Sequence, residues 1–306
     1  MSSFASDVKN ALSRTDTERD CCRTAELAAL LRMGASMVTD GEHGMGLRFE
    51  TASAAVARRV IRLLRAMDAS LATSVAMERT PQLRRRTYIV NIAAGEGVAP
   101  LLTRLGLLAG GAPVGTDPTL LRKKCCRAAY LRGAFLSGGS VNRPEASCHL
   151  EITAKRPEQG RALHTLLRRL HFPVGLTDRR DTYVVYLKEG DAVMDFLALI
   201  GAEEAAEKIE VARNLKEVRA QVNRIVNVET ANLQRAVDAA ANQLAAIERL
   251  RAAGRLATLP ADLRETAQMR CAHPEISMAE LAALCHISKS GMSHRLKKIC
   301  RVAEEV

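Results

Sequence analysis

The sequence predicts an α+β domain built from two tandem repeats, followed by an all-α domain that ends in a helix-turn-helix. The observations are an internal repeat, a change after Gly201 to a composition rich in Ala, Glu, Arg and Leu, and two short capped helices near the C-terminus. A chain of 306 residues is long enough for two domains that each bury a core. We predict a repeat domain over residues 1–222, and a linker helix with the helix-turn-helix domain over residues 223–306.

The repeats span about residues 22–111 and 127–202. Leu27 of the segment AELAALLRMGA aligns with Leu131 of AYLRGAFLSGG, an offset of 104 residues (131 − 27), and Leu47 aligns with Leu150, an offset of 103 (150 − 47). The segments that follow keep the same order in both copies. Each repeat is therefore predicted to contain a helix, one strand with an optional second, a helix, a strand and a helix.

Each element is predicted from its periodicity. Residues 52–67 and 157–172 have apolar side chains at helical spacing, whereas residues 84–93 and 179–188 are β-branched and aromatic with the alternation of strands. Residues 112–126 carry the Gly and Pro that are typical of a connection. After Gly201, residues 203–254 have almost no strand signal and predict a long helix.

The C-terminal helix pair is predicted from its caps. Ser277, followed three residues later by Glu280, is a capping box, and Ser288 can cap a second helix after a turn at residues 285–287. We expect His286 to be a turn residue rather than a ligand. The helices should turn these apolar residues inward: Leu281, Leu284, Ile287, Met292, Leu296 and Ile299.

The second helix of this pair is the candidate DNA-contacting element. It is basic and rich in hydroxyl groups, with no acid between Glu280 and Glu304, as suits a major groove lined by phosphates. The net charge of +11 also favours a polyanionic partner, either nucleic acid or an anionic membrane face. Because the basic helix suits a DNA groove, we expect double-stranded DNA as the partner and no membrane. A solvated basic helix or a protein-binding module remains the alternative. The predicted DNA-binding residues are Ser288, Lys289, Ser290, Ser293, His294, Arg295, Lys297 and Lys298.

The cysteines and the N-terminus indicate the cellular setting. The eight cysteines show no C-x-x-C spacing and have no nearby paired histidines, so zinc-ligand spacing is absent and we expect reduced, mostly buried thiols and no cofactor. No run of 18 apolar residues occurs, and the N-terminus alternates charge where a signal peptide would have an apolar block. We therefore expect a cytoplasmic protein, which the predicted DNA contacts would associate with the nucleoid.

The segment Leu131-x-Gly133-x-x-x-x-Gly138-Gly139 resembles the LAGLIDADG helix of homing endonucleases, and residues 27–35 occupy the same place in the first repeat. The resemblance implies two facing helices, each with a metal-binding acid just before the last position of the motif. Here those acid positions are Gly34 and Gly138, and glycine has no ligand atom for the Mg²⁺ that phosphodiester hydrolysis needs. The resemblance thus predicts a protein that is not an enzyme. Nearby acids that could replace the missing carboxylates are Asp40, Glu42, Glu50, Glu145 and Glu151.

A degenerate LAGLIDADG pair followed by a helix-turn-helix resembles the bacterial WhiA family. The segments RGAFLSGGS and ISKSGMSHRL carry most of this resemblance, which extends over most of the chain. It implies a DNA-binding protein that takes part in transcription regulation, cell division, chromosome segregation and, in spore formers, sporulation. It also implies a small iron–sulfur partner of the WhiB type.

The sequence leaves the role of the repeat domain open. Its sheets could lie across DNA, because arginines fall on or beside predicted strands. It could instead be a scaffold or sensor that binds a protein or a small molecule while the C-terminal domain binds DNA, and an active homing-type endonuclease is a third alternative. The arginines concerned are Arg48, Arg84, Arg85, Arg86, Arg179 and Arg180.

Overall fold

The computed structural model describes residues 3–16, 19–40, 44–80, 85–179 and 181–305, without the side chains of Asp40, Thr80 and Arg85. Arg84, Arg180 and Glu42, which the sequence had singled out, lie outside the described residues. The chain divides into two compact units, Met1–Leu215 and Lys216–Val306. The predicted domain boundary at residue 222 stays a prediction.

The first unit contains two copies of one α+β arrangement, as the sequence predicted. Helix α1 (Phe4–Leu12) precedes them. The first copy consists of α2 (Asp20–Gly34), β1 (Ala35–Asp40), β2 (Gly44–Thr51), α3 (Ala54–Met67), β3 (Thr73–Thr80), β4 (Arg85–Ile92) and α4 (Val98–Arg104). The second consists of α5 (Lys124–Gly138), β7 (Gly139–Val141), β8 (Leu150–Ala154), α6 (Pro157–Arg169), β9 (Gly175–Arg179), β10 (Thr182–Leu187) and α7 (Gly190–Leu199).

The predicted connection between the copies is only partly irregular. It includes the end of a small hairpin of β5 (Leu108–Ala109) and β6 (Ala112–Pro113), and a 3₁₀ turn at Pro118–Leu121. Asp117 caps this turn by accepting the backbone N–H of Thr119 at 2.8 Å. Helix α5 then begins at Lys124, inside the segment that was predicted to be a connection.

Both repeats form a four-stranded antiparallel sheet, with the orders β1-β2-β4-β3 and β7-β8-β10-β9. Ala35 pairs with Phe49 in the first sheet, and Gly139 pairs with Ile152 in the second. These partners are offset by 104 (139 − 35) and 103 (152 − 49) residues, the offsets of the sequence repeat. The optional strand is therefore present in each copy.

Strands β3 and β9 were not predicted. Both are edge strands, and most of their described side chains are exposed, so they lack the alternation of buried and exposed residues that identifies a strand in a sequence. Val75 and Met77 of β3 are apolar and yet more than half exposed.

The facing helices α2 and α5 form the centre of this unit, and most of their residues are buried. They approach closely because Gly133 has no side chain: a Cβ at this position would overlap the backbone carbonyl oxygen of Glu26. Gly133, the small residue of the LAGLIDADG-like motif in α5, therefore allows the central helices of the two repeats to pack closely.

A buried ion triad also joins the repeats. The Glu26 carboxylate of α2 accepts Nε and Nη2 of Arg59 at 2.8 and 2.9 Å, and Nε and Nη2 of Arg132 at 3.0 and 2.8 Å. Glu26 is fully buried, and the two arginines are 2% and 9% exposed. A buried carboxylate is tolerated only when it is fully hydrogen-bonded, as it is here.

The second unit is all-α. Helix α8 (Glu203–Ala252) begins in the first unit and ends in the second, and a 3₁₀ turn (Leu256–Thr258), α9 (Ala261–Ala272), α10 (Met278–Leu284) and α11 (Lys289–Glu304) follow. The core of the unit combines the end of α8 with the three short helices. Across the described part of the chain, no helix is both long enough and apolar enough to span a membrane.

Candidate nucleic-acid interface

Helix α10 begins where the sequence predicted. The Ser277 hydroxyl accepts the backbone N–H of Glu280 at 3.2 Å, and the Glu280 carboxylate accepts the backbone N–H of Ser277 at 2.8 Å. The hydrogen bonds from Ser277 hold the pKa of Glu280 below its ordinary value because they favour the ionised carboxylate. The predicted capping box is therefore confirmed.

The turn between α10 and α11 is built around His286, as predicted. His286 has a left-handed backbone with a φ of 53°, and its N–H donates to Ala283 while the N–H of Ile287 donates to Ala282. These bonds satisfy carbonyl groups at the end of α10 and reverse the chain within three residues. Ser288 then caps α11 by accepting the N–H of Gly291 at 3.1 Å.

The segment before α10 is fixed by Arg270, a residue that the sequence analysis missed. This side chain is 2% exposed at the end of α9, and its Nη1 donates to the carbonyl groups of Ile276 at 2.9 Å and His273 at 3.3 Å. A buried arginine next to a loop leaves no periodic signal in a sequence, so only the fold reveals this role.

Helix α11 is amphipathic, with Met292, Leu296, Ile299 and Ala303 buried on one face. The apolar residues of α10, α11 and the turn between them that were predicted to face inward do so, except for Leu284, which is 49% exposed. Leu284 is the last residue of α10, where the helix ends and the chain turns away from the core. The sequence pattern therefore predicted one buried position too many at the end of α10.

The predicted DNA-binding residues fall into two groups. Lys289, Ser290, His294, Lys297 and Lys298 are exposed on α11. The other three, Ser288, Ser293 and Arg295, make contacts within the protein. Arg301, which was not among the predicted contacts, is also exposed, and it lies on the same side of the helix as His294 and Lys298 by helical spacing.

Ser288, Ser293 and Arg295 are engaged within the protein. The Ser288 hydroxyl is exposed but serves as the cap of α11. Ser293 is half-buried and lines a cleft between α11 and residues 239–243 of α8. Nε of Arg295 lies 3.6 Å from the Asp262 carboxylate of α9, so this predicted DNA contact also has an acidic neighbour within the protein. It is the one basic residue of α11 with an ion pair to the described part of the chain.

The arginines of the first repeat's sheet are less available. Arg48 on β2 pairs with Glu50 on the same strand at 2.8 Å and with Glu78 on β3 at 3.3 Å. Arg86 and, in the second repeat, Arg179 are exposed. Among the predicted sheet arginines, Arg48 is therefore already engaged by carboxylates.

The acids near the glycine motifs are engaged or scattered. Glu50 pairs with Arg48, and Glu151 lies 3.4 Å from the His149 ring. Glu145 is exposed in the loop before β8. Among the described residues, none of these acids lies in a group of three or more potential metal ligands.

The two acid positions of the LAGLIDADG-like motifs lie at the ends of the facing helices, where α2 and α5 meet strands β1 and β7. A Cβ at Gly34 would overlap the Phe49 ring and approach the Ser137 hydroxyl, and a Cβ at Gly138 would overlap the Thr153 carbonyl oxygen. Protein atoms thus occupy the place of a Cβ at both positions, and at Gly138 the overlapping atom belongs to the backbone.

These features define a tandem-repeat LAGLIDADG-like domain joined to a helix-turn-helix domain. Family models describe the same parts: "WhiA N-terminal LAGLIDADG-like domain" matches residues 20–108, "WhiA LAGLIDADG-like domain" residues 127–219, and "WhiA C-terminal HTH domain" residues 222–303. The chain belongs to the WhiA family.

Curated relatives and a solved structure agree with this membership. The "Probable cell division protein WhiA" of Heliobacterium modesticaldum is 39% identical over 99% of this chain and 96% of its own length, and that of Desulforamulus reducens is 41% identical over the same shares. A crystal structure described as "full-length DUF199/WhiA from Thermatoga maritima" aligns with a TM-score of 0.63 and 25% identity over 99% of both chains.

Proposed function

We propose that this protein is a non-enzymatic DNA-binding regulator that contacts double-stranded DNA through α11. The observation that carries the proposal is the exposed basic face of α11, on which Lys298 and Arg301 have no ion pair to the described residues. Cations that lack internal partners can neutralise phosphates and release counterions, which is the main source of affinity for DNA. The helix-turn-helix match over residues 222–303 supports the same conclusion.

The N-terminal part of α11 would enter the major groove. In a helix-turn-helix the first residues of the second helix reach base edges, and later residues contact the backbone. Lys289, Ser290 and His294 are exposed at this end and would read bases, while Lys297, Lys298 and Arg301 would hold phosphates. Ser288, Ser293 and Arg295 would support the interface by keeping α11 in place, because of the cap, the cleft and the pairing with Asp262.

The repeat domain would not hydrolyse DNA. Gly34 and Gly138 offer no carboxylate to a metal ion, and protein atoms occupy the place of a Cβ at both positions. The names of the relatives support a role in cell division, and transcription regulation at the nucleoid is the means that a helix-turn-helix suggests. Chromosome segregation, sporulation and a WhiB-type iron–sulfur partner are parts of the proposal that rest on the family resemblance.

The proposal is tested by replacing Lys298 and Arg301 with alanine in the full-length protein. Fluorescence anisotropy with a labelled DNA duplex should show about a tenfold loss of affinity at 0.1 M salt, and the slope of log affinity against log salt should fall by about 2, since about one counterion is released per lost phosphate contact. A matched control replaces Arg58 and Arg65 of α3, which are exposed in the repeat domain, and removes the same charge. Equal losses in both variants would contradict a specific role for α11.

Two further measurements address the finer parts of the proposal. Incubation of long DNA with the protein and Mg²⁺ should leave the DNA intact, and discrete cuts would contradict the absence of catalysis. Chromatin immunoprecipitation followed by sequencing should recover promoters of cell-division genes. Sites spread without preference over the chromosome would speak against a regulator. Co-purification with an iron–sulfur protein would support the proposed WhiB-type partner.

A further inference from the structure

Four cysteines gather where the two facing helices begin. Cys21 and Cys22 lie in the first turn of α2, and Cys125 and Cys126 lie in the first turn of α5. The pairs stand at equivalent positions of the two repeats, 104 residues apart (125 − 21 and 126 − 22). The repeat symmetry that brings the helices together therefore also brings the four thiols together.

The sulfur atoms have the spacing of ligands around one metal ion. All four Sγ atoms lie within 4.8 Å of one another, and those of Cys125 and Cys126 are 4.0 Å apart. A tetrahedral Zn²⁺ with Zn–S bonds of about 2.3 Å needs sulfur atoms about 3.8 Å apart, so small side-chain adjustments complete the site. An iron–sulfur cluster would place several irons and sulfides between the thiolates and spread them further.

The surroundings favour negative charge on the sulfurs. Both cysteine pairs lie at the positive ends of helix dipoles, the Arg19 side chain lies next to Cys125, and Lys123 and Lys124 are exposed at the start of α5. Four thiolates and one Zn²⁺ carry a net charge of about −2, which these groups offset.

We propose that Cys21, Cys22, Cys125 and Cys126 bind a single Zn²⁺ in a closed, tetrahedral structural site. Four protein ligands leave no position for substrate, which is the arrangement of structural zinc. The ion would join the beginnings of α2 and α5, while Gly133 and the Glu26 triad join the same helices further along. The sequence does not reveal this site because the two pairs are far apart in the chain and lack the usual C-x-x-C spacing.

The metal content of the full-length protein tests this proposal. After purification in reducing buffer without chelators, inductively coupled plasma mass spectrometry should find about one zinc ion per chain. Blocking the thiols with an organomercurial should release this zinc. Reconstitution with Co²⁺ should give the intense visible absorption of a tetrahedral cobalt thiolate site. This second measurement needs no mutation and does not depend on how well a variant folds.

Variants locate the ion. Replacing the half-buried pair, Cys21→Ser with Cys125→Ser, should remove the zinc and the cobalt spectrum. The control, Cys285→Ser with Cys300→Ser, changes two half-buried cysteines of the second unit and should keep both. A metal-free protein with four reduced thiols, disulfides among the four, iron with inorganic sulfide, or zinc retained in the first variant would each overturn the proposal.

Discussion

Several arginines of the repeat domain differ from the cations of α11 in what they contact. Arg59 and Arg132 are buried on Glu26, Arg32 donates to the carbonyl groups of Gly106, Val114 and Gly115, and Arg48 pairs with two carboxylates. On α11, only Arg295 has an ion pair to the described residues. The net charge of +11 therefore includes two kinds of basic residue. Some hold the fold together through internal contacts, and others remain available to bind a partner.

The contacts of a basic residue must therefore be known before a role in binding is assigned to its charge. A basic residue with an internal partner gains little by moving to a phosphate, because it first has to give up the carboxylate it already contacts. The exposed cations of α11 carry no such cost. Three mutational experiments test this contrast, beginning with the most strongly engaged group.

Glu26→Ala should have the largest effect, on stability. It leaves the buried Arg59 and Arg132 without their shared carboxylate, and removing one partner of a buried ion pair costs roughly 3–5 kcal/mol. Urea unfolding followed by far-ultraviolet circular dichroism should show a lower midpoint for the repeat domain. The control Glu78→Ala removes an exposed partner of Arg48 and should cost less than about 1 kcal/mol. Similar midpoints for the two variants would mean that the triad contributes no more than a surface pair.

The repeat and the caps could be predicted from the sequence because their signals are local or periodic. The offset near 104 residues, Ser277 with Glu280, and the turn at His286 all follow from residue spacing. The Glu26–Arg132 pair and the cysteine cluster could not, because each joins residues about a hundred positions apart through the packing of α2 on α5. The pairing of Arg295 with Asp262 depends in the same way on how α9 meets α11.

Ser290→Ala with His294→Ala should have an intermediate effect, on specificity. Both side chains are exposed on the N-terminal half of α11, where base edges are read, and loss of such contacts costs about 1 kcal/mol, or roughly fivefold, for the preferred site. Affinity for unrelated DNA should hardly change, because the phosphate-facing cations remain. Competition between the site found by immunoprecipitation and a scrambled duplex measures the ratio. An equal loss on both duplexes would mean that this end of α11 faces the backbone.

Arg48→Ala should have the smallest effect, a change in DNA affinity of less than about twofold, because Glu50 and Glu78 already offset this charge on the exposed sheet. The matched single substitution is Arg301→Ala, which removes the same charge from α11 and should weaken binding severalfold with a lower salt slope. Anisotropy titrations at two salt concentrations compare them directly. If Arg48→Ala weakened binding as much as Arg301→Ala, the sheet would give up its carboxylate pairs for phosphates, and both domains would hold DNA. A negligible effect of Arg48→Ala beside a clear effect of Arg301→Ala would assign the DNA contacts to the C-terminal unit and favour a scaffold role for the repeat domain.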